Sequence, residues 1–277
     1  MTSVDTCKEP PCYGQRFDER APECECCHWT EWCRKRCEEG RKSLRRAARI
    51  KMLHVAGIKG AVQDGGLLAG AMVHKVESAG CLLACADCPT PELRNVDAGR
   101  RMSAAELLKR LGEPKHVRLC GGEPLIWPRS ELLASVEGMV RMEGLCTLTI
   151  QTSGAVDFGW LKDYKRRLGS GGDKLRLSVA YKLPSSGVSG AMHWENYLWL
   201  GQGDEIRLRV ASPEDMDEGG MFLASLALSD CRATVLWQPS DARRGPWLEC
   251  LLFAECLPMY ERFDMRIVAA GRSGRGT

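Results

Sequence analysis

Residues 71–93 read AMVHKVESAGCLLACADCPTPEL. The first eight form a short β-rich run that reads as a strand, and Gly80 follows its end. The loop beyond it carries Cys81, Cys85 and Cys88 in a CxxxCxxC spacing. Chemistry placed at the end of a strand is a hallmark of α/β folds, in which ligands gather where parallel strands stop. Three thiolates leave a tetrahedral metal site one ligand short. A cubane iron-sulfur cluster held by three cysteines would keep one iron open to a substrate or cofactor, whereas a structural zinc loop would need a distant fourth ligand. Spacing by itself leaves both readings standing.

Outward from this stretch, short β-rich runs recur at KMLHVAG, HVRLCGG, CTLTIQTSG, LRLSVAY, DEIRLRVAS, ATVLWQPS and DMRIVAAG. Helical patterns lie between several of them: SAAELLKRLG with Ser103 as its cap, SELLASVEGMVRM starting at Ser130, and PEDMDEGGMFLASLAL. Strand and helix alternating over residues 51–277 predict a parallel sheet with crossover helices, open or closed into a barrel.

Composition supports a globular protein: 277 residues, 44% hydrophobic and 27% charged. No apolar run is long enough for a membrane span, and the first residues lack a signal-peptide pattern, so the expected address is cytoplasmic. A net charge of only +3 places no general electrostatic demand for nucleic acid on the chain. Fifteen cysteines, in a compartment where structural disulfides are rare, point to metal. Five of them, Cys120, Cys146, Cys231, Cys250 and Cys256, are dispersed and read as small buried hydrophobes.

About thirty residues after the cysteine loop comes CGGEP, Cys120 to Pro124. The two motifs together resemble a radical S-adenosylmethionine enzyme, whose fold is a partial (β/α) barrel. A narrower similarity runs along residues 57–240. GAVQDGGLLAGAMVHKVESAGC is similar to the SIQGEG segment and following strand of the 7-carboxy-7-deazaguanine synthase family, CPT to its CDT, and LTIQTSGA to its ETNGT. YKLPSSG, GDEIRLRVASPEDM and LWQPS come after them in that family's order.

The resemblance implies that Cys81, Cys85 and Cys88 bind a 4Fe-4S cluster. It implies that Gly121, Gly122, Glu123, Ser178, Lys182 and Gln238 contact S-adenosylmethionine, that Thr90 ligates Mg²⁺, and that Gln63 and the position of Glu77 face the substrate. The implied reaction is ring contraction of 6-carboxy-5,6,7,8-tetrahydropterin to 7-carboxy-7-deazaguanine with loss of ammonia, a carbon–nitrogen lyase step feeding deazaguanine (queuosine-type) modification of DNA or tRNA. An electron donor such as a flavodoxin and a homodimer are further implications. Without the family, Lys182 reads as a loop residue and Ser178 as an ordinary strand residue.

The chain also departs from that pattern. Gly65 stands where the family has the glutamate of QGEG, Glu77 where it has an arginine suited to a carboxylate, Cys120 where it has threonine, and Gln151 where it has glutamate. Lys75 lies close to Glu77, but successive strand residues face opposite sides, which argues against it as the replacement. No QLHK-like segment is recognisable in the C-terminal MRIVAAGRSGRGT. The departures collect on the substrate side, so a radical enzyme acting on a different small heterocycle is a second reading.

Residues 1–50 form the expected second unit. Seven cysteines fall in the first 37 residues, among few aliphatic side chains, and such a segment needs a staple. Cys12, Cys24, Cys27 and Cys33 suit tetrahedral zinc; an auxiliary cluster, other ligands such as Cys26, Cys37 or His28, and redox-active thiols are the competing readings. RKSLRRAARIK, residues 41–51, carries six basic residues and no acid, the makings of a solvated helical face or of a docking site for a protein or nucleic acid. A Cys-rich nucleic-acid-binding protein with a degenerate barrel is the third reading, and the retention of all three loop cysteines with Glu123 argues against it.

Overall fold

The computed structural model describes residues 51–63, 65–239 and 263–268. The proposed zinc ligands Cys12, Cys24, Cys27 and Cys33, the basic stretch up to residue 50, Asp64, Cys250 and Cys256 lie outside the described residues. Among the described residues, nine strands make one sheet. They are β1 (Leu53–Val62), β2 (Met72–Ser78), β3 (Arg100–Met102), β4 (His116–Gly121), β5 (Thr147–Thr152), β6 (Leu175–Tyr181), β7 (Glu205–Val210), β8 (Thr234–Pro239) and β9 (Met265–Ile267). Their order is β3-β1-β2-β4-β5-β6-β7-β8-β9, with β1 antiparallel to both its neighbours and every pairing from β2 to β9 parallel. The sheet does not close on itself, so the architecture is a partial barrel, as expected.

All eight strands expected from alternation form, and β3 is an addition too short to carry a period. The helices are α1 (Ala104–Leu111), α2 (Arg129–Val140), α3 (Trp160–Arg167), α4 (Ser170–Lys174) and α5 (Pro213–Leu226). Ser103 caps α1 by accepting from Glu106 N at 3.2 Å, as its sequence predicts. At α2 the expected start at Ser130 shifts: the helix begins at Arg129, Pro128 holds the cap position, and no side chain caps it. The helices α3 and α4, which the sequence pattern does not announce, are short and polar. Only Leu161 and Tyr164 of α3 are buried, too few for a readable apolar stripe.

Alternation along the parallel strands separates two faces. Val76, Leu119, Ile150, Leu177, Ile206 and Val235 point outward into one apolar core with α1, α2, α3 and α5, and all six are fully buried. The opposite, inner face is polar. Strand register places Lys75 beside Arg118, Gln151 beside Ser178, Ser178 beside Glu205, and Arg209 beside Gln238. Cys120 and Cys231 are buried, but Cys146 is exposed, which corrects its reading as a packed hydrophobe: it lies in the loop just before β5 rather than within the strand. No helix among the described residues is long and apolar enough to cross a membrane.

Candidate functional site

The cysteine loop leaves β2 at the C-terminal end of the parallel strands, and contacts from distant sequence hold it there. Arg94 donates to Cys85 O, Ala86 N donates to Ser186 O at 2.9 Å, and Arg209 Nη1 donates to Asp87 O at 2.9 Å. The Arg209 guanidinium also pairs with the Asp87 carboxylate at 3.2 Å. Ser186 belongs to the KLPSSG turn after β6. That turn is tied to the start of α5 by Asp215, a buried carboxylate accepting from Ser185 N (2.9 Å), Ala211 N (2.7 Å) and Ser212 N (3.2 Å). Asp215 and Ser212 also form a capping box. None of Arg94, Asp87, Arg209 and Asp215 was singled out by sequence reasoning. The signal available for Asp215 was the SPED capping box, and for the others there was none, because their partners lie up to 122 residues away.

The glycine pair answers a packing requirement. Gly121 has φ +95°, and a Cβ there would lie 2.6 Å from Ser78 O; at Gly122 it would lie 2.2 Å from Gly80 O. Without side chains the two backbones join by Gly122 N to Ser78 O and Glu123 N to Gly80 O, both 2.8 Å. The end of β4 is thereby locked onto the exit of β2, next to Cys81. Glu123 is fully buried, and its carboxylate accepts from Leu125 N (3.2 Å), Thr152 Oγ1 (3.0 Å), Ser153 N (2.8 Å) and the Ser153 hydroxyl. It cross-braces the ends of β4 and β5.

The three loop cysteines are free thiols. Burial first, and the Glu123 carboxylate second, push the Cys81 thiol up to about 12; burial also raises Cys85, with the Lys182 ammonium as the largest opposing influence. These couplings place Glu123 near Cys81 and Lys182 near Cys85, so the structure brings the expected cluster loop and two expected cofactor residues to one place. Buried thiols with such values become ligands when a cation supplies the missing charge. Among the described residues no group of three or more His, Cys, Asp or Glu is arranged to hold a single metal ion. A cubane asks something different of three cysteines, one iron each, and the donor set fits it.

The remaining positions are spread along the same strand ends and inner face. Thr90 donates its hydroxyl to Gly121 O at 3.5 Å. Ser178, fully buried, donates to Glu205 at 2.7 Å, and Gln238 sits on β8 next to Arg209 of β7. Gln63 is 5% exposed; its amide donates to Gly65 O at 2.9 Å and its carbonyl oxygen has no partner in the structure. The loop after it crosses the open sheet, with Leu67 N donating to Glu205 on β7. Gly66, at φ +83°, is what the close approach to that carboxylate requires. Under this loop lies a small cavity of about 90 Å³ lined by Leu67, Leu68, Thr149 and Glu205 among others, so the loop covers the inner face at the end opposite the cysteines.

Glu77, at the position where the family has arginine, has a counter-charge. Its carboxylate lies 2.7 Å from the Lys59 ammonium of β1. Gly57 makes room, since a Cβ there would be 3.2 Å from the Glu77 carboxylate. The facing argument for Lys75 is also corrected. Lys75 and Glu77 are two apart, not successive, and both act on buried Cys120 from the same face.

No family profile matches the chain. Comparison with curated sequences finds a 7-carboxy-7-deazaguanine synthase of Rhodopirellula baltica, 35% identical over 220 residues, covering 74% of this chain and 82% of the relative. Another with that name, from Clostridium acetobutylicum, is 25% identical over 188 residues, covering 67% and 80%. Among solved structures, QueE from Escherichia coli superposes with a TM-score of 0.58 over 82% of this chain and 97% of its own, at 17% identity, a likeness of fold. With its cysteine loop, its glycine-pair strand end and this degree of identity along most of a relative's length, the chain belongs to the 7-carboxy-7-deazaguanine synthase family.

Proposed function

We propose that the chain converts 6-carboxy-5,6,7,8-tetrahydropterin into 7-carboxy-7-deazaguanine with release of ammonia, as a radical S-adenosylmethionine lyase of 7-deazapurine synthesis. The observation that carries this reading is family membership together with the loop of Cys81, Cys85 and Cys88 seated against Gly121–Gly122–Glu123 at the strand ends. In it, the three cysteines hold a 4Fe-4S cluster, and Gly121, Gly122, Glu123, Ser178, Lys182 and Gln238 form the S-adenosylmethionine site. Bound there, the cluster and S-adenosylmethionine would supply one-electron radical chemistry for hydrogen abstraction, with the electron delivered by an external reductant.

The chain's own contribution is placement. Glu123 keeps the ends of β4 and β5 in one arrangement, and its Oε1, which accepts from one protein donor, retains acceptor capacity for an ammonium. Lys182 puts positive charge beside Cys85, which favours the thiolate a cluster needs. The 65–71 loop is tied over the inner face by Leu67 N donating to Glu205. Thr90 as an Mg²⁺ ligand belongs to this reading, its hydroxyl being held at the glycine-pair backbone. So do Gln63 and Glu77 as substrate-side groups, a flavodoxin-type donor, a homodimer and a cytoplasmic location. Residues 1–50 are proposed as a separate zinc module ahead of the 51–277 barrel, with a protein or nucleic-acid partner; metal analysis of the purified chain and of its Cys24→Ser/Cys27→Ser variant tests it, and equal zinc in both would refute it.

The different-heterocycle reading was favoured by Glu77 and Gly65; the Lys59 pair neutralises the acid of the first. The decisive experiment is anaerobic incubation of the reconstituted protein with S-adenosylmethionine, reductant and the carboxy-tetrahydropterin. Mass spectrometry is expected to find 7-carboxy-7-deazaguanine. Cleavage of S-adenosylmethionine with no deazaguanine would refute the proposed substrate.

A further inference from the structure

Across the inner face, three adjacent strands carry cations at one level: Lys59 on β1, Lys75 on β2 and Arg118 on β4 are register neighbours. Lys59 is neutralised by Glu77. Among the described residues, neither Lys75 nor Arg118 has a carboxylate within ion-pair distance. Arg118 is the more exacting of the two, because it is only 5% exposed. Its Nη1 donates to the neutral amide of Gln151 at 3.1 Å, and its Nε is buried with no partner. A guanidinium buried without a counter-charge is costly, and such sites are resolved by an anion.

The surrounding groups leave that anion to come from outside the protein. Glu77 is drawn toward Lys59 over Gly57. Glu205 is occupied by Ser178 and Leu67 N. The other buried cation nearby, Arg207, is spent on the carbonyls of Thr152 and Ser178. With Nη1 fixed by Gln151, the Nε/Nη2 edge of Arg118 is the one left over, and that edge matches a carboxylate in the two-point fork geometry. We propose that Arg118, flanked by Lys75, is the residue that receives the 6-carboxylate of the pterin. Specificity for a carboxylated substrate is thus carried by β4, one strand over from the Glu77 position. The inference rests on the pterin reading above.

The test is equilibrium binding to the anaerobically reconstituted protein of two unreactive ligands, 6-carboxypterin and pterin, which differ by the carboxylate alone. A charge-assisted, two-point contact predicts that wild type prefers the carboxylated ligand by about tenfold to a hundredfold. Arg118→Gln is expected to reduce that preference to within about threefold while leaving pterin affinity unchanged. Arg118→Lys, which retains the charge but not the fork, is expected to fall between and serves if the glutamine variant does not fold. A preference that survives Arg118→Gln overturns the inference. Equal weakening of both ligands marks Arg118 as a structural prop and overturns it too. Equal binding of both ligands by wild type overturns the inference while leaving the reaction to the turnover assay. Failure of wild type to bind either pterin removes the pterin reading, and the inference with it.

Discussion

Gly122→Ala is the sharpest probe of how the two motifs are joined. A methyl group at this position would stand 2.2 Å from Gly80 O and 3.0 Å from Leu93 O, both backbone atoms that cannot rotate away. Carbon–oxygen contacts settle at about 3.3 Å or more, so the β4 end and the β2 exit must separate by about 1 Å. That displacement stretches the 2.8 Å bonds from Gly122 N to Ser78 O and from Glu123 N to Gly80 O past hydrogen-bond range. Two lost bonds at about 1 kcal/mol each, plus about 1–3 kcal/mol of overpacking, sum to about 3–5 kcal/mol. For a unit of this size the melting temperature should fall by about 6–20 °C. Because the moved atoms adjoin Cys81, iron content per chain should fall with it. Two controls separate fit from conformation. Gly70→Ala, at φ +82° in open space, should cost about 1–2 kcal/mol with iron retained. Gly159→Ala, at φ −51° with its nearest contact at 3.5 Å, should be neutral or slightly stabilising. Thermal melts and iron assays on the three variants decide the matter. If Gly122→Ala melts within about 2 °C of wild type with full iron, the packing argument is wrong.

Replacing any one of Cys81, Cys85 and Cys88 by Ala should abolish the absorbance near about 400 nm and cleavage of S-adenosylmethionine together; a variant that keeps both is not a cluster-ligand variant. Asp215→Ala strands the N–H groups of Ser185, Ala211 and Ser212 and should cost about 2–4 kcal/mol, seen as a lower urea midpoint. Asp215→Asn should lose less, since it keeps one acceptor. Burial pushes the Cys120 thiol from 9.0 to about 11, so the folded state holds that proton more tightly than the unfolded one. Its contribution is complete below pH 9 and is lost as pH climbs toward 11, at up to about 1.4 kcal/mol per pH unit. Cys120→Thr should therefore flatten the decline in urea midpoint above pH 9, and an unchanged slope would count against it.

Local patterns in the sequence carry the grammar of the protein. Short β-rich runs along residues 51–277 marked eight strands, Ser103 marked a helix start, PEDMDEGGMFLASLAL marked a helix, and CxxxCxxC and CGGEP carried the family resemblance. Each of these signals is local, carried by neighbours a few residues apart, so it survives without knowledge of the fold. Other features were decided only in three dimensions. That Glu77 is neutralised by Lys59 depends on antiparallel register between β1 and β2. That Gly122 meets Gly80, that Arg209 clamps Asp87, and that Leu67 reaches Glu205 are pairings between segments far apart in the chain. Side-chain type advertises what a group can do, but counter-charge, burial and direction come from partners that only the assembled sheet supplies. Arg118 shows the division: as one basic residue in a strand it was passed over, and only its burial without a counter-ion on the inner face makes it a receptor.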